Sequence, residues 1–391
     1  MNWPMGKVTD IAEIISGFAF KSEWFGAGDA KVIRIGDLKN GRIDLSEAMV
    51  FDEKVHKVRE QYRVKSGDIL MALSGATVGK IAVADLEAEG AYLNQRVAVI
   101  RGKCYENTEF LKYIFTGSRL QKLLLNAGGA AQPNLSPKDL AEMEIPLPPL
   151  TEQKRIATIL NKADNIRQKR EQAIKLADNF LRATFLEMFG DPVENPKRWD
   201  VASLLEYGSF KNGMNFTKGE SGSVLKCLGV GNFKSLATIT CMDNIGEIEL
   251  NTLPSDDYLL KDGDIVFVRS NGNKALVGRC LTIYPGKEKV TFSGFCIRYR
   301  IENTAITPEY LNFLFRTPSM KQQMLSGGQG ANIQNISQGT LSSLRIPIPP
   351  LEKQQSFSKV VSFHSELMEK LDINTVEIED MFDSISQQYF N

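Results

Sequence analysis

The sequence predicts an α+β protein that contains one α/β domain twice, together with two long helices that pair as a coiled coil. Three observations carry this prediction. Short phrases recur in the same order about 200 residues apart, which is the signature of an internal repeat. Each copy ends in a proline-rich phrase, and each such phrase precedes a stretch whose apolar residues follow heptad spacing. A length of 391 residues also fits two domains.

The repeat is collinear along both halves. The phrase at 145–150 (Ile-Pro-Leu-Pro-Pro-Leu) recurs at 346–351 as Ile-Pro-Ile-Pro-Pro-Leu, and Gly-Asp-Ile at 67–69 recurs at 263–265. Further matches pair Trp3 with Trp199, Gly17 with Gly213, Glu109 with Glu309 and Asn134 with Asn335, at offsets from 196 to 201. Chance matches do not keep one order, so we interpret the halves as duplicated domains.

Each copy follows one plan of predicted elements. Strand-like runs such as 31–35 and 69–73 are separated by Gly and Asp, as in turns. Amphipathic helical stretches follow at about 109–125 and 308–325, and glycine-rich loops follow these at 128–134 and 327–333. The proline phrase then ends the domain, because proline is excluded from a helix interior.

A long helix is predicted after each proline phrase, the first with Thr151 as its cap. The predicted core positions are Ile156, Ile159, Ala163, Ile166, Arg170, Ala173, Ala177 and Phe180 in the first helix, and Phe357, Val360, His364, Leu367, Leu371, Asn374, Ile378, Met381 and Ile385 in the second. Residues 151–190 carry 8 basic and 5 acidic side chains, residues 352–391 carry 3 and 8, and opposite signs favour pairing. The alternative is that each helix lies on its own domain.

Composition limits the classes of protein. Hydrophobic residues make up 42%, enough for two cores, and no apolar run approaches the ~20 residues of a membrane span. With no signal-peptide pattern at the N-terminus, we expect a cytoplasmic protein. The five cysteines form no CxxC pair and are expected to be reduced thiols, and the two histidines leave little room for zinc or for histidine-based catalysis.

The net charge of zero argues against a nucleic-acid-binding protein, which usually has a basic surface. That argument weakens if basic side chains cluster on one face or if partner subunits supply the contacts with phosphate groups.

The paired proline phrases at 146–153 and 347–354, the junction Phe-Gly-Asp-Pro at 189–192 and both Gly-Asp-Ile phrases resemble the specificity (S) subunit of type I restriction-modification systems. The resemblance covers essentially the whole chain. It implies two target recognition domains, at 1–150 and 191–351, and two antiparallel coiled-coil spacer helices, at 151–190 and 352–391, with an internal pseudo-two-fold repeat.

The resemblance also implies a function and partners. Each domain would read one half of a split double-stranded DNA target, and the helices would set the spacing and bind two methyltransferase (M) subunits, which restriction (R) subunits join. The subunit itself would bind no cofactor or metal, whereas S-adenosylmethionine, ATP and Mg²⁺ would belong to its partners.

The residues agree with a non-catalytic subunit. The sequence lacks an Asn-Pro-Pro-Tyr or Asp-Pro-Pro-Tyr phrase for methylating a base amine, and it lacks a phosphate-binding loop of the type GxxxxGK(S/T). Two alternatives remain: a protein-interaction scaffold without DNA binding, which the zero net charge favours, and a nuclease or methyltransferase that acts alone.

Candidate DNA-binding residues lie in polar, glycine-containing loops, because Arg, Lys, Asn, Gln and Ser read base edges and contact phosphates. In the first half they are Lys21, Ser74, Thr77, Lys80, Asn94, Gln95, Arg96 and Gln132; in the second they are Lys218, Arg269, Ser270, Asn271, Asn273, Lys274, Arg279, Gln329, Asn332 and Gln334. For each of them the alternative is a polar turn that satisfies its own backbone.

Overall fold

The computed structural model describes residues 3–116, 118–127, 134–217, 219–233, 237–326 and 335–390. The chain forms two compact units. Unit 1 comprises residues 1–171 and 372–391, and unit 2 comprises residues 172–371. Each unit therefore contains part of both long helices, α4 (Leu150–Phe189) and α8 (Leu351–Phe390).

Unit 1 combines short strands with three helices between them. The strands are β1 (Met5–Lys7), β2 (Ala12–Ser16), β3 (Phe25–Ile33), β4 (Leu38–Lys39), β5 (Arg42–Ile43), β6 (Met49–Phe51), β7 (Ile69–Ala72), β8 (Ile81–Val83), β9 (Tyr92–Leu93), β10 (Val97–Gly102) and β11 (Glu144–Pro146). The helices are α1 (Tyr105–Ile114), α2 (Ser118–Ala127) and α3 (Pro137–Glu142).

Unit 2 repeats this order. Its strands are β12 (Asp200–Ser203), β13 (Gly208–Asn212), β14 (Ser223–Leu228), β15 (Thr238–Ile239), β16 (Glu247–Leu250), β17 (Asp264–Val268), β18 (Cys280–Ile283), β19 (Val290–Phe292), β20 (Cys296–Ile301) and β21 (Arg345–Ile348). Its helices are α5 (Pro308–Arg316), α6 (Pro318–Ser326) and α7 (Gln338–Ser342).

The two units share one sheet topology. The main sheet has the order β2-β10-β7-β8 in unit 1 and β13-β20-β17-β18-β15 in unit 2. A second sheet has the order β6-β3-β9 in unit 1 and β16-β14-β19 in unit 2, each with one antiparallel and one parallel pairing. The shared order confirms the duplication predicted from the sequence. The units differ in two places: β15 adds a fifth strand to the main sheet of unit 2, and β4 and β5 pair as a separate two-stranded sheet in unit 1.

A buried ion pair explains why Gly-Asp-Ile occurs in both halves. Asp264 accepts hydrogen bonds from the Lys261 amide at 2.7 Å and from Arg300 Nε at 2.9 Å. In unit 1, Asp68 accepts the equivalent bond from Arg101 Nε at 2.7 Å. Because an ionised carboxylate is stable in the interior only when it is paired and hydrogen-bonded, the aspartate and the arginine are required together.

The amphipathic helical stretches predicted at about 109–125 and 308–325 are helical, and each consists of two helices, α1 with α2 and α5 with α6. In unit 2 the break lies at Thr317, whose ψ of 145° is extended. Pro318 follows it, and proline disfavours helical geometry in the preceding residue. The first long helix likewise begins at Leu150 rather than after Thr151.

The glutamine that follows each proline phrase fastens a long helix to its unit. Gln153 Nε2 donates to the Pro148 carbonyl at 2.9 Å, and Gln354 Nε2 donates to the Pro349 carbonyl at 2.8 Å. Both side chains are buried. In unit 1 the side-chain Nδ2 of Asn107 also donates to Gln153 Oε1, so the polar atoms of the glutamine are satisfied inside the protein.

The two long helices are antiparallel, as predicted. In unit 1 the beginning of α4 meets the end of α8, where Arg155 donates to the Tyr389 hydroxyl at 3.1 Å. In unit 2 a later residue of α4, Asp178, lies 3.2 Å from Nε2 of His364, an early residue of α8.

The buried face of α4 differs from the heptad prediction at Ile166 and Phe180, which are 44% and 65% exposed. Phe185 and Phe189 are buried instead, and both rings pack against Tyr310 of α5. The domain core therefore determines which face of α4 is buried near its end. Each helix therefore both pairs with the other helix and packs on a domain, so the two arrangements that the sequence left as alternatives occur together.

The second helix follows its predicted core only in part. Phe357 is buried, but Leu367 is 39% exposed. The predicted core positions Asn374, Ile378 and Met381 have side chains outside the described residues.

Candidate nucleic-acid interface

Three segments of unit 1 meet at one end of the main sheet, next to Leu73. The Leu73 amide donates to the Arg96 carbonyl at 2.9 Å, and the Leu135 amide donates to the Leu73 carbonyl at 2.9 Å. These two bonds bring together the loop that starts at Ser74, the turn 94–96 and the segment that starts at Asn134. Residues that are far apart in sequence thus form one surface, which we call the three-loop surface.

Unit 2 repeats this arrangement around Arg269. The Arg269 amide donates to the Phe295 carbonyl at 2.8 Å, and the Ile336 amide donates to the Arg269 carbonyl at 3.0 Å. Ser270 also forms a β-bridge with Asn335.

Backbone hydrogen bonds show which loop residues of the two units correspond. Arg279 occupies the position of Lys80, because the Arg279 carbonyl accepts from the Val268 amide at 2.8 Å, as the Lys80 carbonyl accepts from the Ala72 amide at 2.9 Å. The counterpart of the turn 94–96 is 293–295, which sequence reasoning missed.

The basic candidates are displayed on this surface. Lys80 and Arg96 are exposed in unit 1, and Arg269, Lys274 and Arg279 are exposed in unit 2. Arg279 also donates to the Phe233 carbonyl at 3.4 Å. Such guanidinium and ammonium groups suit phosphate oxygens or guanine edges.

One further lysine supports the loop of unit 2 that contains Lys274. Lys321 of α6 donates from Nζ to the Ala275 carbonyl at 3.0 Å, next to Lys274. Burial lowers the pKa of Lys321.

Several polar candidates are used to hold turns. Asn271 Oδ1 accepts from the Asn273 amide at 2.7 Å, and Asn273 Oδ1 accepts from the Ala275 amide at 3.0 Å. Asn94 Oδ1 accepts from the Arg96 amide at 3.3 Å. In each case the side-chain oxygen satisfies a local backbone N–H, as the alternative interpretation of polar turns expects.

The other candidates of these loops are Ser74, Thr77, Gln95 and Ser270. Gln95 is exposed, and Ser74 and Ser270 are half-buried. Within the described part of the chain the hydroxyl of Thr77 is buried and has no hydrogen-bond partner.

Lys21 belongs to a separate segment of unit 1, between β2 and β3. It is exposed and directly precedes a turn that carries Trp24, whose indole stacks on the His56 ring with centroids 4.4 Å apart. Gln132, Lys218, Gln329, Asn332 and Gln334 lie outside the described residues.

Unit 2 contains a polar cavity of about 560 Å³. Its lining includes Met214, Asn215, Asn251 and Tyr258. Asn215 also explains Gly294, because a Cβ at that position would clash with the Asn215 amide oxygen.

The described residues contain no helix that is long and apolar enough to cross a bilayer. They also contain no cluster of three His, Cys, Asp or Glu side chains placed to hold a metal ion.

Comparison with known proteins gives one consistent answer. The family profile for the type I restriction modification DNA specificity domain matches residues 1–176 and 217–383. The EcoKI specificity subunit of Escherichia coli K12 is 26% identical over 90% of this chain and 80% of its own length. The StySPI specificity subunit of Salmonella potsdam is 25% identical over the same shares.

Solved structures agree on the fold. An S subunit from M. genitalium superposes with a TM-score of 0.59 at 16% identity, over 100% of this chain and 96% of that chain. A chain from a study of type I restriction-modification complex assembly and conformational transition has a TM-score of 0.56 at 17% identity, over 99% of this chain and 97% of that chain.

Proposed function

This chain belongs to the type I restriction-modification DNA specificity family and has a role in DNA sequence recognition; we propose that each unit reads one half of a split target. The observation that carries the proposal is the three-loop surface, which the same backbone hydrogen bonds build in both units. Shared backbone with different side chains is what two readers of different sequences need, because base contacts come from side chains whereas the frame only positions them.

Recognition rather than catalysis is the role of this family, and the chain is a non-catalytic specificity subunit, as the sequence predicted. We propose that it binds no cofactor itself and that S-adenosylmethionine, ATP and Mg²⁺ act in its partners. The cytoplasm, where chromosomal DNA is accessible, is the proposed location.

The long helices supply a docking face in this proposal. In unit 2, Leu176 and Phe180 of α4 and Phe363 of α8 are exposed large apolar side chains. Exposed apolar clusters mark protein interaction sites. We assign this face to a methyltransferase subunit, with restriction subunits joining that assembly.

Replacement of Phe180 by Asp tests the docking face. Burying an unpaired carboxylate is costly, so we expect Phe180→Asp to weaken binding of the methyltransferase subunit at least tenfold. Asn179→Asp is the control, because it adds the same charge at an exposed neighbour. Calorimetric titration measures both; equal affinities for the two variants would remove Phe180 from the interface.

The helices are also proposed to set the gap between the half-sites. A 40-residue helix is about 60 Å long at ~1.5 Å per residue. Inserting four residues beside Lys169 adds about 6 Å, at most about two base pairs at ~3.4 Å each, and a coiled coil can absorb such a stutter. Methylation mapping should show unchanged half-sites and a gap longer by about one or two base pairs. An unchanged gap with full activity would assign the spacing to another element.

A scaffold without DNA binding is the competing function, supported by the zero net charge. The deciding experiment titrates a labelled duplex carrying the mapped target with the chain and its methyltransferase partner. We expect specific binding by the complex and neither methylation nor cleavage by the purified chain alone. A complex that binds the target no better than a scrambled duplex favours the scaffold.

A further inference from the structure

The turns 94–96 and 293–295 have the same backbone hydrogen bonds. The side chains of Asn94 and Ser293 each accept from the amide two residues further on, both at 3.3 Å. The amides of Gln95 and Gly294 donate to the carbonyls of Phe18 and Met214, at 2.9 and 2.8 Å. The carbonyl of the third residue of each turn accepts from the end of the main sheet, from the Leu73 amide in unit 1 and from the Arg269 amide in unit 2.

Glycine allows each turn to lie close to the segment that follows β2 in unit 1 or β13 in unit 2. A Cβ at Gly17 would clash with the Asn94 carbonyl, and a Cβ at Gly213 would clash with the Ser293 carbonyl. Both turns are therefore held in one position by contacts that do not depend on their own third side chain.

The two turns differ in sequence at every position, and at the third position the two side chains differ in chemistry. The third residue is an exposed arginine, Arg96, in unit 1, and a phenylalanine, Phe295, that is 60% exposed in unit 2. Because the backbone is the same, an exposed ring is not required to build the turn.

The surroundings of Phe295 suit a DNA groove rather than an apolar protein partner. The adjacent Arg269 is exposed, and Lys274 and Arg279 are exposed on the neighbouring loop. Cations of this kind contact phosphates and position a protein on the duplex, which leaves the ring at the turn to meet base edges. In the major groove the thymine methyl group is the apolar feature that a phenylalanine can contact, whereas arginine matches the O6 and N7 acceptors of guanine.

We propose that this turn position is a specificity determinant in both units: Phe295 selects a thymine through its 5-methyl group, and Arg96 selects a guanine in the other half-site. The proposal rests on the proposed function, since it names the base that each equivalent side chain reads. No covalent step is involved.

A uracil scan tests the thymine contact. In the duplex bound by the complex with the methyltransferase, each thymine of the half-sites is replaced in turn by deoxyuridine, which lacks only the methyl group. We expect one position at which the wild-type complex loses about fourfold in affinity, the equivalent of one buried methyl group. The Phe295→Ala complex should lose at least as much on the thymine duplex and be indifferent to uracil at that position.

Two further variants complete the test. Phe295→Arg should shift the mapped target at that one position from thymine towards guanine, whereas Val224→Ala, at another exposed apolar residue of unit 2, should change nothing. Equal uracil sensitivity of wild type and Phe295→Ala at every thymine would overturn the proposal, as would a uniform loss of affinity on all duplexes. A wild-type complex that does not distinguish its mapped target from a scrambled duplex would instead overturn the proposed function itself.

Discussion

Replacing Arg300 by methionine should destabilise unit 2 far more than an ordinary surface substitution. Arg300 donates from Nε and Nη2 to Asp264, at 2.9 and 2.6 Å, and from Nη2 to the Leu259 carbonyl at 2.8 Å. The Asp264 side chain is 1% exposed and that of Arg300 is 17% exposed. The substitution therefore leaves a carboxylate buried with only the Lys261 amide among its present donors.

Breaking a buried ion pair by removing one partner costs about 3–5 kcal/mol. Because the Lys261 amide still donates to Asp264 and the guanidinium is partly exposed, we expect the lower end, about 3 kcal/mol. The double variant Asp264→Asn, Arg300→Met should recover part of this loss, since no charge remains buried. Lys226→Met is the control: it breaks the more exposed pair with Glu288 and should cost at most about 1 kcal/mol.

Hydrogen exchange followed by mass spectrometry measures the effect segment by segment. Peptides covering β17 and β20 should exchange about a hundredfold faster in Arg300→Met, because each ~1.4 kcal/mol is a factor of ten. Arg101→Met should act in the same way on β7 and β10. A loss below about 1 kcal/mol, or no rescue in the double variant, would refute the buried-pair argument.

Three other predictions follow from buried groups. Gln153→Leu leaves the Asn107 side-chain amide and the Pro148 carbonyl without their partner, so the free energy of unfolding of unit 1 in urea should fall by about 1–3 kcal/mol. Gln153→Glu should not restore it, because a carboxylate cannot donate to the Pro148 carbonyl. Burial raises the pKa of the Cys280 thiol to about 12, whereas Cys241 is exposed, so Ellman's reagent at pH 8 should label Cys241 quickly and Cys280 only as the chain unfolds. Burial also raises the pKa of Tyr92 to about 12, above its unfolded value of about 10. The stability that its neutral form contributes is complete below pH ~10 and should be lost towards pH 12, a loss that Tyr92→Phe should reduce in alkaline unfolding.

The sequence predicted the features that depend on repeated local phrases. The paired proline phrases and the Gly-Asp-Ile phrases located both units, both long helices and the loops around Leu73 and Arg269. These phrases recur because each performs a structural task that needs its residues: Asp264 pairs with Arg300, and Gln354 holds the Pro349 carbonyl.

Features that depend on tertiary packing were not predicted. The turn 293–295 has no residue type in common with the turn 94–96 at equivalent positions. Its position is fixed by backbone hydrogen bonds and by Gly213, which faces it, so its own sequence is free to differ. A search that required Gly213 to face this turn could have found it. The exposure of Ile166 and Phe180 likewise follows from a helix that turns its buried face towards a domain core, which heptad spacing alone does not describe.

The most direct test of the central claim is methylation mapping of a chimaera. In it, residues 1–145 are replaced by the equivalent segment of a relative, and the chimaera is expressed with the methyltransferase partner. If each unit reads its own half-site, the mapped target keeps one specific half and acquires a new sequence in the other half. A target in which both halves change together, or in which neither changes, would contradict the account.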